Sequence, residues 1–168
     1  MDKKKINADE FVAKFMDGSL GHLIHIQTAV KIFRLRDIAP YLRIPIPPIF
    51  LGYNLMIHLT EGYFQQQIES TNFRVQAPAM LICNYGNISA ISAVDRNAEG
   101  YCVLIKENAM ASLFREQEIL NIFTIAPLLN LDQVDSLEFS ALLDVLYREI
   151  YAENPYQTYY ESILKTVV

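Results

Sequence analysis

The sequence predicts an α+β fold, with a β-sandwich or β-barrel over roughly the first two thirds of the chain and two helices at its end. Three observations predict it. Between Tyr53 and Ile105 turn signals recur about every ten residues and separate alternating segments, the pattern of a sandwich or barrel. Upstream of them, prolines 45, 47 and 48 exclude a helix. Downstream of Lys106 the apolar spacing moves from the two-residue period of strands toward the helical period.

Taken in order, residues 1–20 form a polar-to-amphipathic arm whose apolar points are Phe11, Phe15 and Leu20. Residues 21–36, GHLIHIQTAVKIFRLR, are strand-forming, with Val30, Ile32 and Arg34 on one face and Lys31, Phe33 and Leu35 on the other. YLRIPIPPIFLG can only be an edge strand or an extended connection, because proline cannot donate to a sheet ladder. Strand then follows strand to Ile105, broken at Glu61-Gly62, Ser70-Thr71-Asn72, Tyr85-Gly86-Asn87 and Arg96 to Gly100. ENAMASLFREQE reads as a short helix, and LNIFTIAPLLNLD as a return to extended structure that Pro127 keeps from being helical. In DSLEFSALLDVLYREIYAEN, Leu137, Leu142, Val145, Leu146 and Ile150 fall close to helical spacing, with Asp135 as the expected cap. PYQTYYESILKTVV repeats that pattern, and Pro155 suits a first helical turn.

Glu61-Gly62 reads as a two-residue hairpin turn. On one side Thr60 then faces Tyr63, His58 faces Gln65, Met56 faces Gln67 and Asn54 faces Glu69. The opposite side sets Leu55, Ile57 and Leu59 against Phe64, Gln66 and Ile68. The first side is polar but weakly charged, which suits a small polar ligand held by hydrogen bonds. Asn54, His58, Tyr63, Gln65 and Gln67 are therefore the candidate ligand-binding residues, and a solvated sheet face is the alternative reading.

Composition excludes several functions. One domain of 168 residues can bury a core without disulfides or metals. No apolar run approaches the roughly 20 residues of a membrane helix, and no secretory leader precedes the acidic residues Asp9, Glu10 and Asp17. Cys83 and Cys102 lie in apolar segments without ligand-spaced neighbours, as expected of reduced thiols in a cytoplasmic protein. The net charge is −5 with scattered basic residues, so the chain itself is a poor nucleic-acid binder. No phosphate loop, nucleophile elbow or metal-protease motif is present, and His22 and His25 fall on opposite faces of a strand, so no catalytic residue is expected.

The order strand-LTEG-strand, NFRVQAPAMLICNYGNIS, strand, EGYCVLIKENAMASL resembles the cupin-type sensor domain of AraC/XylS-type bacterial transcription regulators. The likeness covers Tyr53 to Leu113 and, more loosely, the closing helices. It implies a cupin-like, jelly-roll antiparallel barrel over 21–130 after the 1–20 arm, then a helical dimerisation region over 131–168. It further implies a small effector, a sugar or other polar metabolite, with the arm either over the pocket mouth or packed outside the barrel. DNA would be contacted only through a helix-turn-helix domain that this chain lacks; the pattern breaks off in mid-helix at ESILKTVV. The metal ligands of metal-binding cupins would fall near Pro48, Phe50, Leu55 and Ser89, none of which can rebuild a site, so no metal or cofactor is expected. A stand-alone metal-free cupin and a ligand-free dimerisation domain are the alternatives.

The same resemblance implies a homodimer of antiparallel helices. Leu142, Val145, Leu146 and Ile150 make a stripe broader than one barrel covers, which Leu143 and Tyr147 extend round the side; Leu142, Leu143, Leu146, Tyr147 and Ile150 are the candidate interface, with Leu143 and Leu146 expected to face outward.

Overall fold

The computed structural model describes residues 4–16, 29–109 and 126–151. His22, His25, most of the expected helix in ENAMASLFREQE and all of PYQTYYESILKTVV lie outside them. The described elements are β1 (Lys5–Ile6), α1 (Ala8–Phe15), β2 (Val30–Arg34), α2 (Leu35–Ile38), β3 (Ile46–Leu51), β4 (Asn54–Glu61), β5 (Tyr63–Ile68), β6 (Thr71–Gln76), β7 (Ala79–Cys83), β8 (Ile88–Val94), β9 (Glu99–Ile105), β10 (Leu128–Asn130) and α3 (Gln133–Ile150).

The strands form two five-stranded sheets, β1-β3-β8-β5-β6 and β10-β7-β4-β9-β2. Every described pairing between them is antiparallel except β1 with β3. This is the α+β fold with an antiparallel sandwich or barrel that the alternation predicts, in the cupin-like arrangement that the resemblance implies. Alternation also sets the layers: Leu55, Ile57 and Leu59 of β4 and Cys102 and Leu104 of β9 point between the sheets, into the main core. Tyr101, Val103 and Ile105 of β9, with Val30 and Ile32 of β2, point the other way and form a second apolar layer with Leu143, Leu146 and Ile150 of α3. The β2 faces follow the expected division, with Phe33 in the main core.

The hairpin at Glu61-Gly62 does not exist. β4 pairs with β7 and β9, whereas β5 pairs with β6 and β8, so the chain crosses from one sheet to the other there. Gly62 makes the crossing at φ +88°, and a β-carbon on it would stand 2.9 Å from Asp95 Oδ2. Turn chemistry says that the chain reverses; it does not say which sheet receives the next strand.

Pro47 and Pro48 sit exposed in the irregularity between Ile46 and Ile49 of β3, where the register with β8 shifts. That is where a sheet tolerates residues without an N–H. A break missed in the sequence falls at Ala77-Pro78, whose peptide bond is cis, between β6 and β7.

The arm is a helix with a complete capping box: Glu10 N donates to Asn7 Oδ1 at 2.8 Å and Asn7 N donates to Glu10 Oε2 at 3.1 Å. Its apolar side, Phe11 and Val12, is buried in the main core together with Met16. Of the two placements open to the arm, the structure takes the one against the interior. α3 is capped by Asp132, which accepts from Asp135 N at 2.8 Å; Asp135, the expected cap, is one turn inside.

Candidate functional site

The candidate ligand residues from the sequence are not brought together. Asn54 and His58 share the face of β4 that looks away from the barrel interior toward α3, and Tyr63, Gln65 and Gln67 lie on the outer face of β5 in the other sheet. The two groups are on opposite sides of the molecule. Asn54 Oδ1 accepts from Tyr85 N at 2.9 Å, and Gln67 Nε2 donates to the Glu69 carbonyl at 2.7 Å, so both serve local backbone.

The interior is mostly apolar, with one polar patch that the hairpin reading left among its apolar residues. Gln66, 1% exposed, points inward from β5 between Phe64 and Ile68. Its Nε2 donates to Ser89 Oγ at 2.8 Å and to Cys83 Sγ at 3.1 Å, while its Oε1 is buried with no hydrogen-bond partner among the described residues. Tyr53, 0% exposed, also has a buried hydroxyl without a hydrogen-bond partner among the described residues. Its ring stands edge-on to Phe11 at 5.8 Å. Such orphaned groups are rare in native interiors, because each forfeits its hydration without recompense. Burial pushes the thiols of Cys83 and Cys102 up to about 12 and the Tyr53 phenol well above its ordinary value, so these three groups are neutral.

The interior also holds a cavity of about 40 Å³ lined by apolar side chains, among them Phe11 and Met16 from the arm, Leu55, Phe64, Ile91 and Cys102; neither Gln66 nor Tyr53 borders it. The N-terminal helix thus plugs the interior, held by β1 pairing with β3 and by an ion pair between Asp9 Oδ1 and Lys31 Nζ at 3.0 Å. A larger open cleft, about 520 Å³, lies at the β5–β6 turn, lined by Glu69, Asn84, Asn87 and Pro127 among others. There Glu69 Oε1 accepts from Asn87 Nδ2 at 3.1 Å and from Ile88 N at 3.0 Å, which holds the turn with Glu69 itself at φ +53°. Size favours the cleft, but its carboxylate is engaged in local structure. Of these two sites only the interior carries orphaned, fully buried polar atoms, and it is the better of the two on that ground; elsewhere Arg34 Nε, His58 Nδ1 and Ser140 Oγ are likewise buried without a hydrogen-bond partner among the described residues.

Sheet β10-β7-β4-β9-β2 is two-sided: one face walls the interior and the other carries α3. Besides the apolar layer, α3 is fixed by Asp144, whose Oδ1 accepts from Tyr101 Oη at 2.8 Å and pairs with Arg34 at 3.0 Å. The Tyr101 hydroxyl, with Arg34 and with Arg148, whose Nη2 is 2.6 Å from Asp144 Oδ2, holds the Asp144 carboxyl below its usual range. His58 ties the opposite end of the helix, with Nε2 3.1 Å from Ser136 Oγ and its ring edge-on to Phe139 at 5.5 Å.

His58 has no exposed surface, and burial lowers its pKa below the ordinary 6.5. Below pH 6.5 the unfolded chain takes up a proton that the folded chain refuses, so this residue lowers stability as pH falls from 6.5 toward its folded pKa. The slope from one site is at most about 1.4 kcal/mol per pH unit. Urea denaturation of the wild type and of His58→Leu across this range should show the mutant lacking that share of the slope; parallel curves would contradict a neutral buried imidazole.

The sequence matches no family model and no curated protein. Among solved structures it is similar to an apo variant of ToxT from Vibrio cholerae strain SCE256, with 14% identity over 84% of this chain and 53% of that one and a TM-score of 0.49. It is also similar to unsaturated fatty acid bound ToxT of the same strain, at 18% identity over 73% and 46% and a TM-score of 0.41. A third is the cupin domain of Schizosaccharomyces pombe Cnp3, at 15% identity over 52% and 73% and a TM-score of 0.33. The chain spans about half the length of the ToxT chains it matches. The fold described above stands on strand pairing within this chain.

Proposed function

We propose that this chain is the effector-sensing and dimerisation domain of an AraC-type transcription regulator, not an enzyme, with a small molecule held in the barrel interior and DNA contacted through a separate domain. The observation that carries the proposal is the two-sided sheet. β4 and β9 present Leu55, Ile57 and Cys102 to the interior and His58, Tyr101 and Val103 to α3. A ligand that shifts these strands therefore shifts the seat of the helix. It acts through unequal affinity for the two arrangements.

The same helix supplies a surface for a second copy. Val134, Leu137, Ala141 and Val145 recur at three- and four-residue spacing on its outer side, with Leu137 68% exposed and Val134 64%. Of the candidate interface residues, Leu142 is on this exposed side, whereas Leu143, Leu146 and Ile150 are buried against the sheet and Tyr147 packs beside them. The symmetric partner is thus assigned to the outer stripe, a helix pair about a two-fold axis. Leu137→Glu should give a monomer in analytical ultracentrifugation with its melting temperature nearly unchanged, as for exposed substitutions of about 0.5 kcal/mol or less. A wild-type chain that sediments as a monomer at about 100 μM, far above a micromolar dissociation constant, would remove the dimer from the proposal.

One observation favours the ligand-free dimerisation domain as a second reading: Phe11 and Met16 leave only about 40 Å³ of the interior empty. A thermal-shift screen of small metabolites separates the two readings. The sensor is expected to be stabilised by at least one compound, and the ligand-free domain by none.

A further inference from the structure

We infer that the outer edge of β6 takes an extended peptide strand from a partner protein, one that carries an acidic residue, an apolar residue, any residue and a basic residue in that order. The surface is separate from the barrel interior and from the outer stripe of α3, so the inference goes beyond the sensor proposal and does not depend on it.

β6 closes the sheet β1-β3-β8-β5-β6 and pairs on one side only, with β5. The two-residue turn Glu69-Ser70 makes Ile68 and Thr71 a hydrogen-bonded pair, and the ladder alternates from there, so Thr71, Phe73 and Val75 turn their backbone groups toward β5. Ala77 N, which donates to the Gly62 carbonyl at 3.1 Å, continues that series. Asn72 and Arg74 therefore turn their N–H and C=O groups outward, where these make no hydrogen bond among the described residues. Proteins blunt such an edge with a proline, a bulge, an inward charge or a very short strand. β6 has none of these: its register with β5 is unbroken from Thr71 to Gln76, and its one charged residue, Arg74, is exposed on the outer face. At the opposite edge of the sheet, β1 is two residues long.

The surroundings of this edge set the chemistry of its partner. The cleft of about 520 Å³ runs from Thr71 and Phe73 of β6 to Pro127 and to Leu128 of β10. A strand added to β6 turns alternate side chains into it, the arrangement by which added strands gain specificity. The side chain opposite half-buried Phe73 meets Leu128 and Pro127 and is apolar. Two positions along, opposite Thr71, the next inward side chain comes beside Glu69. Glu69 accepts from Asn87 and Ile88 through Oε1 alone and is in no ion pair among the described residues, so Oε2 is open to a base. Arg74 likewise has no acidic partner among the described residues, and the side chain across from it on the outer face is acidic. An antiparallel strand, the more stable addition, meets Arg74, Phe73, Asn72 and Thr71 in that order. A second copy of β6 fits less well, because TNFRVQ holds no acidic residue to face Arg74.

Nuclear magnetic resonance titration of the full chain with the peptide acetyl-TTELTKT-amide tests this. Amide shifts are expected at Glu69, at 71–74 and at Leu128, and exchange of the Asn72 and Arg74 amides should slow. The charge-reversed TTKLTET, and TTELPKT, whose proline removes the N–H that faces the Asn72 carbonyl, should each bind at least about tenfold more weakly. Arg74→Glu, an exposed substitution, should invert the preference, so that TTKLTKT binds more tightly than TTELTKT. No shift at β6 up to about 1 mM TTELTKT overturns the inference. Equal binding of TTELPKT also overturns it, by showing charge attraction without strand pairing. Asn72 and Arg74 amides already protected in the chain alone, in a dimer that dilution opens, would assign the edge to a second copy and overturn the partner peptide.

Discussion

Gly100→Ala is expected to cost about 3 kcal/mol or more, from a strained left-handed backbone and from overpacking between central strands. Gly100 has φ +130°, a conformation that side chains rarely adopt. A β-carbon there would run into the carbonyl oxygen of His58, on the neighbouring strand β4. A carbonyl oxygen in a central strand cannot move aside as a flexible side chain would, so the β4–β9 pairing itself must open. In a domain of this size the loss corresponds to a fall in melting temperature of about 6–12 °C. Because Gly100 precedes Tyr101, which holds Asp144 of α3, hydrogen exchange should quicken in α3 as well as in β9. A variant that melts within a degree of the wild type would show that the two strands are not packed as described.

Leu143→Asp is the second large effect. Leu143 is 1% exposed and sits between the outer face of the sheet and α3, with Val30, Ile32 and Val103 in the same apolar layer. Removing its side chain alone costs about 2–5 kcal/mol. The new carboxylate must also either stay buried unpaired or force the helix off the sheet. The expected result is loss of α3 protection in hydrogen exchange and loss of the dimer together, with the inner β-core last to open. Leu137→Glu, on the exposed side of the same helix, should abolish the dimer and leave that protection in place. If Leu143→Asp gave a stable monomer instead, the helix would be turned with Leu143 outward, as its place in the sequence stripe suggests.

The contrast between these two leucines shows where sequence reasoning runs out. The period of the helix is plain from Leu142, Leu146 and Ile150, but both of its faces are apolar, and periodicity cannot say which one meets the sheet. In the barrel, the alternation of β4 correctly separates Leu55, Ile57 and Leu59 from Asn54, Met56 and His58. What fails is the partner: β5 follows β4 after a two-residue turn signal, yet the strands that flank β4 are β7 and β9, more than a dozen residues away in sequence. Sheet membership depends on those long-range contacts. The polar face built on a local hairpin therefore splits into two unrelated surfaces. The signal for the interior site was present in Gln66, a lone amide between Phe64 and Ile68 on a face otherwise apolar. A polar residue out of phase with its own strand is a better pointer inward than a run of polar residues in phase. Nothing comparable marks Tyr53, which is recognisable only once its hydroxyl is seen to be buried and unpartnered.

The proposal that an effector sits inside the barrel is tested most directly by intermolecular nuclear Overhauser contacts between the full chain and a small molecule that raises its melting temperature. The prediction is contact from ligand protons to the Tyr53 ring, the Gln66 side-chain amide and the Phe64 and Cys102 side chains, with α1 resonances around Phe11 shifting as the ligand takes its space. Contacts confined to Tyr63, Gln65 and Gln67, or to Asn54 and His58, would place the ligand on an outer face and contradict it.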